Sequence, residues 1–352
     1  MNNLLTKHIL KNLADRKNFQ QCLLEWYDEH QRILPWRTQP SLYKTVVSEF
    51  MLQQTRVTTV LPYFQKWISA FPDFSSLALA KEDEVIKSWE GLGYYSRARN
   101  LHKVAQIMST QKSIPHDIKF WQSLPGIGPY IAAAVTSISF GKNEAVCDGN
   151  VVRVLTRIFG HEEKFKDGAS AQKKLQNLAQ ALLPGKRTGD YNQAVMELGA
   201  TVCHRQSPLC ITCPILKFCK SGQRGDAENF PVLEKKKKTI EEIERLWIVS
   251  TNALLLQKPN KGNNRMAGIY ELPLNINPSF GKKGEFIVLK KRTIGQVQYK
   301  ESIYNGSIDK TLKLEKHLLK WISWKDIEKI TISGPHRKWI EEIKQSSDSN
   351  QT

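Results

Sequence analysis

Four cysteines constrain this chain more than any other feature. Cys203, Cys210, Cys213 and Cys219 form a C-x6-C-x2-C-x5-C run within seventeen residues. Thiolates are the ligands that iron–sulfur clusters need, and four this close together can surround one cubane. Zinc is the alternative, but its usual pattern is two C-x2-C pairs roughly twelve to twenty residues apart, and only one short pair is present. Four thiols serving only as core residues have no reason to gather on a loop broken by Ser207-Pro208 and Cys213-Pro214. The run therefore predicts a metal-stapled loop.

Composition limits the rest. At 352 residues the chain can hold two domains. Lys and Arg number 52 against 34 Asp and Glu, a net charge of +18. That surplus favours a polyanionic partner, with a phosphate backbone foremost. The first fifteen residues lack an apolar signal core. No run reaches about eighteen apolar residues, so no membrane partner is expected. Six cysteines, four of them ligands, fit a reducing, cytoplasmic setting. Cys22, in an amphipathic helix, and Cys147, beside an acid, read as small core residues.

Apolar residues recur at helical spacing from 19 to about 198. Val46, Val47, Phe50 and Met51, continuing through 54–57, read as one helix. Leu101, Val104, Ala105 and Met108 read as another. Breakers fall at Leu34-Pro35, Leu61-Pro62, Phe71-Pro72, Gly91-Leu92-Gly93, Leu124-Pro125-Gly126 and Pro184-Gly185. Beyond Cys219 the pattern changes. A linker with the lysine run 235–238 leads to strand-like segments at 246–249, 253–256, 285–289 and 321–324. The expected organisation is a mainly α part over 1–225, a linker over 226–243, and an α+β part over 244–352.

Three local patterns carry chemistry. Leu124-Pro125-Gly126-Ile127-Gly128-Pro129-Tyr130 precedes an apolar helix over 131–139. Gly126 and Gly128 suit a tight turn with positive φ. Backbone N–H groups at the following helix N-terminus can then meet a phosphate. His204, Arg205, Lys217 and Lys220, around the cysteines, offer a second grip. Asp148 opens a helix, where the dipole favours a carboxylate, although an ordinary cap reads the same way. Glu49 stands on an otherwise apolar helix face, and a buried carboxyl is costly unless partnered or protonated.

These segments, with Tyr191-Asn192-Gln193-Ala194 before the cysteines, resemble the helix-hairpin-helix DNA glycosylases that carry a [4Fe–4S] cluster. Within that group two features resemble the MutY-type adenine glycosylases rather than endonuclease III. Glu49 lies in Val47-Ser48-Glu49-Phe50-Met51-Leu52-Gln53-Gln54-Thr55, following Leu34-Pro35-Trp36-Arg37. Tyr130 stands where bifunctional lyases carry a Schiff-base lysine, and a tyrosine cannot form one. Asp148 follows Tyr130 by eighteen residues, matching the family's aspartate.

The resemblance implies a mainly α helix-hairpin-helix glycosylase with an iron–sulfur cluster loop, plus a C-terminal α+β MutT/Nudix-like domain. It implies a [4Fe–4S] cluster on Cys203, Cys210, Cys213 and Cys219. It implies a monomeric, monofunctional enzyme acting on double-stranded DNA with A:8-oxoguanine or A:G mispairs. The catalytic residues would be Glu49, protonating the leaving adenine; Asp148, stabilising the sugar cation; Asn150, orienting Asp148 and water; and Tyr130. Leu34, Trp36, Arg37 and Gln193 would bind the base, with Gln54 and Tyr94 wedging into the stack. Gly126 and Gly128 would bind DNA.

The likeness thins after Cys219. Ala267-Gly268-Ile269-Tyr270-Glu271-Leu272-Pro273 resembles the element that opens the family's C-terminal domain. No Phe-Ser-His stands in the loop expected near 296–301 to read 8-oxoguanine. Discrimination against guanine should therefore be reduced, unless Tyr299 substitutes. No glutamate-rich pyrophosphohydrolase helix appears, so this part should not hydrolyse nucleotides. Val152 stands where some relatives have lysine. The rival readings are a pyrimidine glycosylase like endonuclease III and a non-catalytic binding module.

Overall fold

A computed structural model describes residues 13–234, 239–258, 268–275, 282–308, 314 and 318–349. The N-terminal stretch 1–12, the lysine run 235–238 and Ala267 lie outside the described residues. The chain divides into two compact units. The first comprises Met1–Ser75 and Lys103–Lys235, the second Ser76–His102 and Lys236–Thr352. No helix among the described residues is long and apolar enough to cross a membrane.

Helices come first along the chain: α1 (Leu13–His30), α2 (Pro35–Thr38), α3 (Leu42–Leu52) and α4 (Val57–Ala70). Next are α5 (Phe74–Leu79), α6 (Glu82–Ser88) and α7 (Ser96–Ser109), with the chain passing between units within α5 and α7. The first unit continues with α8 (Ile118–Ser123), α9 (Pro129–Phe140), α10 (Gly149–Phe159), α11 (Gly168–Ala181), α12 (Thr188–Thr201) and α13 (Lys220–Arg224). Its core gathers Phe19 and Leu23 of α1, Val154, Leu155 and Ile158 of α10, and Leu198 of α12, with Cys203, Cys213 and Cys219 at its margin. Each such apolar side chain contributes about 1.5–3 kcal/mol on burial. Together they lock α10 and α12 side by side.

Local details correct the sequence reading in four places. The helix expected to run from Val46 through Val57 stops at Leu52, because Gln54 takes φ +59° and α4 starts afresh at Val57. Pro62 is not a breaker but lies inside α4, where the buried stripe Val60, Phe64 and Trp67 holds the helix despite the missing N–H. Of the two hairpin glycines only Gly126 has positive φ, at +75°, while Gly128 is extended and N-caps α9 ahead of Pro129. The segment 296–301 is mostly strand rather than loop.

In the second unit the strands are β1 (Thr239–Trp247), β2 (Val249–Ser250), β3 (Ala253–Gln257), β4 (Lys282–Ile294), β5 (Val297–Ser307) and β6 (Leu319–Ser323). One sheet runs β1-β5-β4, with β1 and β5 parallel, and the other runs β2-β3-β6, all antiparallel. A two-residue turn at Gly295 leads directly into β5, and Tyr299 sits within that strand opposite Arg292. The strand β1 begins at Thr239, inside the stretch read as linker. Against the sheets lies α14 (Gly334–Ser349), burying Trp339, Ile340 and Ile343 with Leu254, Leu272 and Ile303. Beneath them is a buried ion network. Arg245 pairs with Glu301 at 2.8 Å and Glu271 at 3.0 Å, and Arg292 pairs with both carboxylates. Burial opposes ionisation of Glu271, but His336, Arg245 and Arg292 hold its pKa down to about 2.

Candidate active site

The loop between α1 and α2 starts the site. Leu34 is extended at the N-cap of α2 and Pro35 takes N1, where its missing N–H costs nothing. This short turn buries Trp36 edge-on to Phe64, with ring centroids 4.9 Å apart. The loop faces α3, α9, α10 and α12 across a cavity of about 590 Å³. Leu34, Trp36, Arg37, Glu49, Tyr130, Asp148, Asn150 and Gln193 all line it, although they are scattered over 160 positions of sequence (193 minus 34, plus one).

Other expected residues lie elsewhere. Gln54 is on the turn next to the lining residues Leu52, Thr55 and Arg56, but does not itself line the cavity. Gly126 and Gly128 are not lining residues either. A side chain at Gly128 would meet nothing within 4 Å, so the backbone there is open to approach. Tyr94 belongs to the second unit. It is 48% exposed with φ +48°, and the Arg97 guanidinium lies 5.5 Å from its ring centre.

Glu49 is a strongly perturbed acid of the cavity. Burial pushes its pKa up to about 7; a hydrogen bond with Tyr130 opposes the rise, Asp148 adds to it, and Arg37 opposes it. Its Oε2 has no hydrogen-bond partner. The Tyr130 hydroxyl points to Met196 Sδ at 3.4 Å, a weak acceptor it can readily leave.

Asp148 behaves differently. It is the N-cap of α10, and its Oδ1 accepts from Val151 N at 2.8 Å. Its Oδ2 accepts from Asn150 Nδ2 at 2.9 Å. Burial raises its pKa, while these donors and Arg153 favour the charged form. One carboxyl of the pair thus keeps an oxygen without a partner while both oxygens of the other accept hydrogen bonds, an arrangement that separates an acid from an anion.

Several supports come from residues the sequence reading passed over. Asn192 is buried and donates to Ser137 Oγ and Glu144 O, both at 2.8 Å, and accepts from Val146 N at 3.2 Å. It thereby anchors the extended segment that enters Asp148. Arg153 donates to Asn150 Oδ1, to Gly199 O and to Cys203 O. A Cβ at Gly199 would lie 2.7 Å from Asn150 Cβ, so only glycine lets α12 approach α10 this closely. Arg32 and Glu197 also line the cavity. Glu197 had a legible signal, being the single acid in the apolar run Val195-Met196-Glu197-Leu198, one helical turn after Gln193.

The cysteine loop follows α12 directly, on 3-10 turns Cys210–Thr212 and Leu216–Phe218. Cys203, Cys210 and Cys219 all lie within electrostatic reach of Cys213. No group of three or more His, Cys, Asp or Glu among the described residues is tight enough for a single metal ion. A four-iron cubane is larger than one ion, so its ligands stand farther apart. Arg157, 1% exposed, supplies a further test of fit. It donates to Cys203 Sγ at 3.2 Å and to the carbonyls of His204, Arg205 and Phe230. No carboxylate among the described residues pairs with it, so a buried guanidinium has one cysteine sulfur and three carbonyls as its acceptors. An anionic thiolate cluster fits that setting.

Residues 47–185 match the family described as HhH-GPD superfamily base excision DNA repair protein. Over 353 residues the chain is 33% identical to the adenine DNA glycosylase of Buchnera aphidicola subsp. Acyrthosiphon pisum, covering 93% of this chain and 98% of that protein. The chain belongs to the adenine DNA glycosylase family. The Homo sapiens adenine DNA glycosylase is 35% identical over 324 residues, which cover 76% of this chain and 59% of the human protein. The rat relative is 41% identical over 230 residues, covering 62% and 44%. This adenine DNA glycosylase family member thus spans about half the length of its mammalian relatives. Among solved structures, a thermostable thymine-DNA glycosylase is similar with a TM-score of 0.52 and 28% identity, covering 59% of this chain and 97% of that one. The mainly α fold with an α+β C-terminal part, expected from the motifs, is the one found.

Proposed function

We propose that this chain is a monomeric, monofunctional, cytoplasmic enzyme that removes adenine mispaired with 8-oxoguanine or guanine in double-stranded DNA. The observation that carries the reading is the buried Glu49 carboxyl, its Oε2 without a partner, sharing one cavity with Asp148, whose two oxygens both accept hydrogen bonds. A pKa of about 7 leaves roughly half of Glu49 protonated at neutrality, ready to act as an acid.

In this reading 1–225 forms the catalytic part, joined through 226–243 to a lesion-reading part over 244–352. The adenine leaves the stack, with Gln54 as a wedge filling the gap, and enters the cavity between Leu34, Trp36 and Gln193. Extrusion costs a few kcal/mol of stacking, which such a wedge offsets. Glu49 gives its proton to a ring nitrogen of adenine as the bond from C1′ to the base breaks. The electron pair leaves with the neutral base. Asp148 stabilises the cationic sugar, as fixed carboxylates do in glycoside hydrolysis. Asn150 keeps Asp148 and the incoming water aligned. Water adds at C1′ and its proton restores Glu49. Tyr130 provides a hydroxyl beside Glu49 and no amine, so the chain lacks a Schiff-base route there.

Cys203, Cys210, Cys213 and Cys219 would hold a [4Fe–4S] cluster, which when bound supplies iron–thiolate bonds that staple this loop. Arg157 would balance its charge. The stapled loop presents His204, Arg205, Lys217 and Lys220 to phosphates, and the open backbone at Gly126 and Gly128 supplies the other grip.

Single-turnover adenine release from A:8-oxoguanine and A:G duplexes tests the proposal. Release from both at similar rates is expected, because no Phe-Ser-His stands near 296–301. A strong preference for A:8-oxoguanine would reject the reduced discrimination, and no release from either would reject the function.

A further inference from the structure

Glu197 has no place in the chemistry above, yet its side chain is completely buried at the cavity wall. Burying a carboxylate is costly unless partners hold it, so its partners indicate its task. Arg32 grips it with Nε at 2.6 Å, Nη2 at 2.9 Å and backbone N at 3.1 Å. Arg37 Nη2 donates to Oε2, the oxygen that also accepts from Arg32 Nη2, at 2.9 Å. Burial works against its ionisation, but Arg32 and Arg37 keep its pKa below the usual range. Arg37 in turn donates Nε to Gln193 Oε1 at 3.2 Å and Nη1 to Arg32 O at 3.4 Å, with its guanidinium 5.5 Å from the Tyr27 ring centre.

Two consequences follow from this geometry. Arg32 and Arg37 bracket Leu34 and Trp36, so Glu197 fastens the loop carrying the apolar walls to α12. An arginine N–H can only donate, so the Gln193 atom facing Arg37 must be the amide oxygen. That leaves the Gln193 amide nitrogen to meet the base, as a donor to a ring-nitrogen acceptor. We infer that Glu197 is a positioning residue that acts through Arg37 to fix the direction of the Gln193 amide and hence base reading. This inference rests on the proposed adenine-releasing activity.

The test is a double-mutant cycle read by single-turnover adenine release, with duplex affinity measured separately. Glu197→Gln is expected to slow release at saturating enzyme about 100-fold, the scale of a misplaced contact. Duplex affinity should stay within about threefold, because no phosphate-binding group is touched. Arg37→Met should give a similar loss, and the double variant should lose little more, since both changes break one relay. Where Glu197→Gln does not fold, Arg37→Met carries the test, since Glu197 remains paired with Arg32. Gln193→Ala should then add nothing to it. Wild-type rates in Arg37→Met, or losses that multiply in either cycle, would overturn the relay. A wild-type chain that releases no adenine would overturn the proposed function and this inference together. A wild type that releases adenine while Glu197→Gln keeps pace would overturn this inference alone.

Discussion

At the scale of single residues, burial raises the pKa of two carboxyls that share one cavity, and they differ in the hydrogen bonds that offset it. Glu49 has an oxygen with no partner, whereas both oxygens of Asp148 accept hydrogen bonds. Adenine release should fall as pH rises through about 7, when Glu49 loses its proton. Glu49→Gln should remove that limb along with about 100-fold or more of the rate, measured as a pH–rate profile. Stability follows the same group. Its folded pKa is raised from 4.5, so its contribution is present below pH 4.5 and lost as pH rises to about 7. Across that window the wild type should lose on the order of 3 kcal/mol relative to Glu49→Gln, seen in denaturant unfolding at a series of pH values. Asp148→Asn should keep duplex binding and lose about 100-fold or more in turnover; an unchanged rate would favour a binding module instead.

At the scale of elements, the close contact of α10 and α12 holds the site together. It depends on Gly199, whose missing side chain makes room for Asn150. Gly199→Ala should destabilise the first unit by about 1–3 kcal/mol, through overpacking against Asn150. It should also slow adenine release by moving Asn150 off Asp148, and equal melting temperatures and rates for variant and wild type would refute it. The loop that leaves α12 is the second element that matters. Purified protein should contain about four irons and four sulfides per chain, and Cys213→Ser should lower that content; a single zinc per chain would refute the cluster.

At the scale of the whole molecule, two units with separate cores meet different demands. The first builds a cavity from helices, and the second packs two small sheets and α14 over a buried ion network. Glu301→Gln should leave Arg245 and Arg292 partly unpaired and cost about 3–5 kcal/mol, read as faster hydrogen exchange in β1, β5 and α14. Much of this organisation was legible in sequence because it is local. Cysteine spacing, hydrophobic periodicity, Leu-Pro-Gly punctuation and a lone acid on an apolar face are patterns that short-range chemistry imposes. They sufficed for the helical part and the strand-rich part and marked the cysteine loop, whereas the residues expected around the cavity came from the family resemblance. Local periodicity failed where tertiary packing overrode it. Pro62 stays helical because Val60, Phe64 and Trp67 are buried around it, and Gln54 leaves the helix that its apolar neighbours suggested. The pairing of Arg37 with Gln193 and Glu197 lay beyond any local rule. Those residues are about 160 positions apart, and only the packing of α2 against α12 decides that a buried carboxylate, a guanidinium and an amide share one chain of hydrogen bonds.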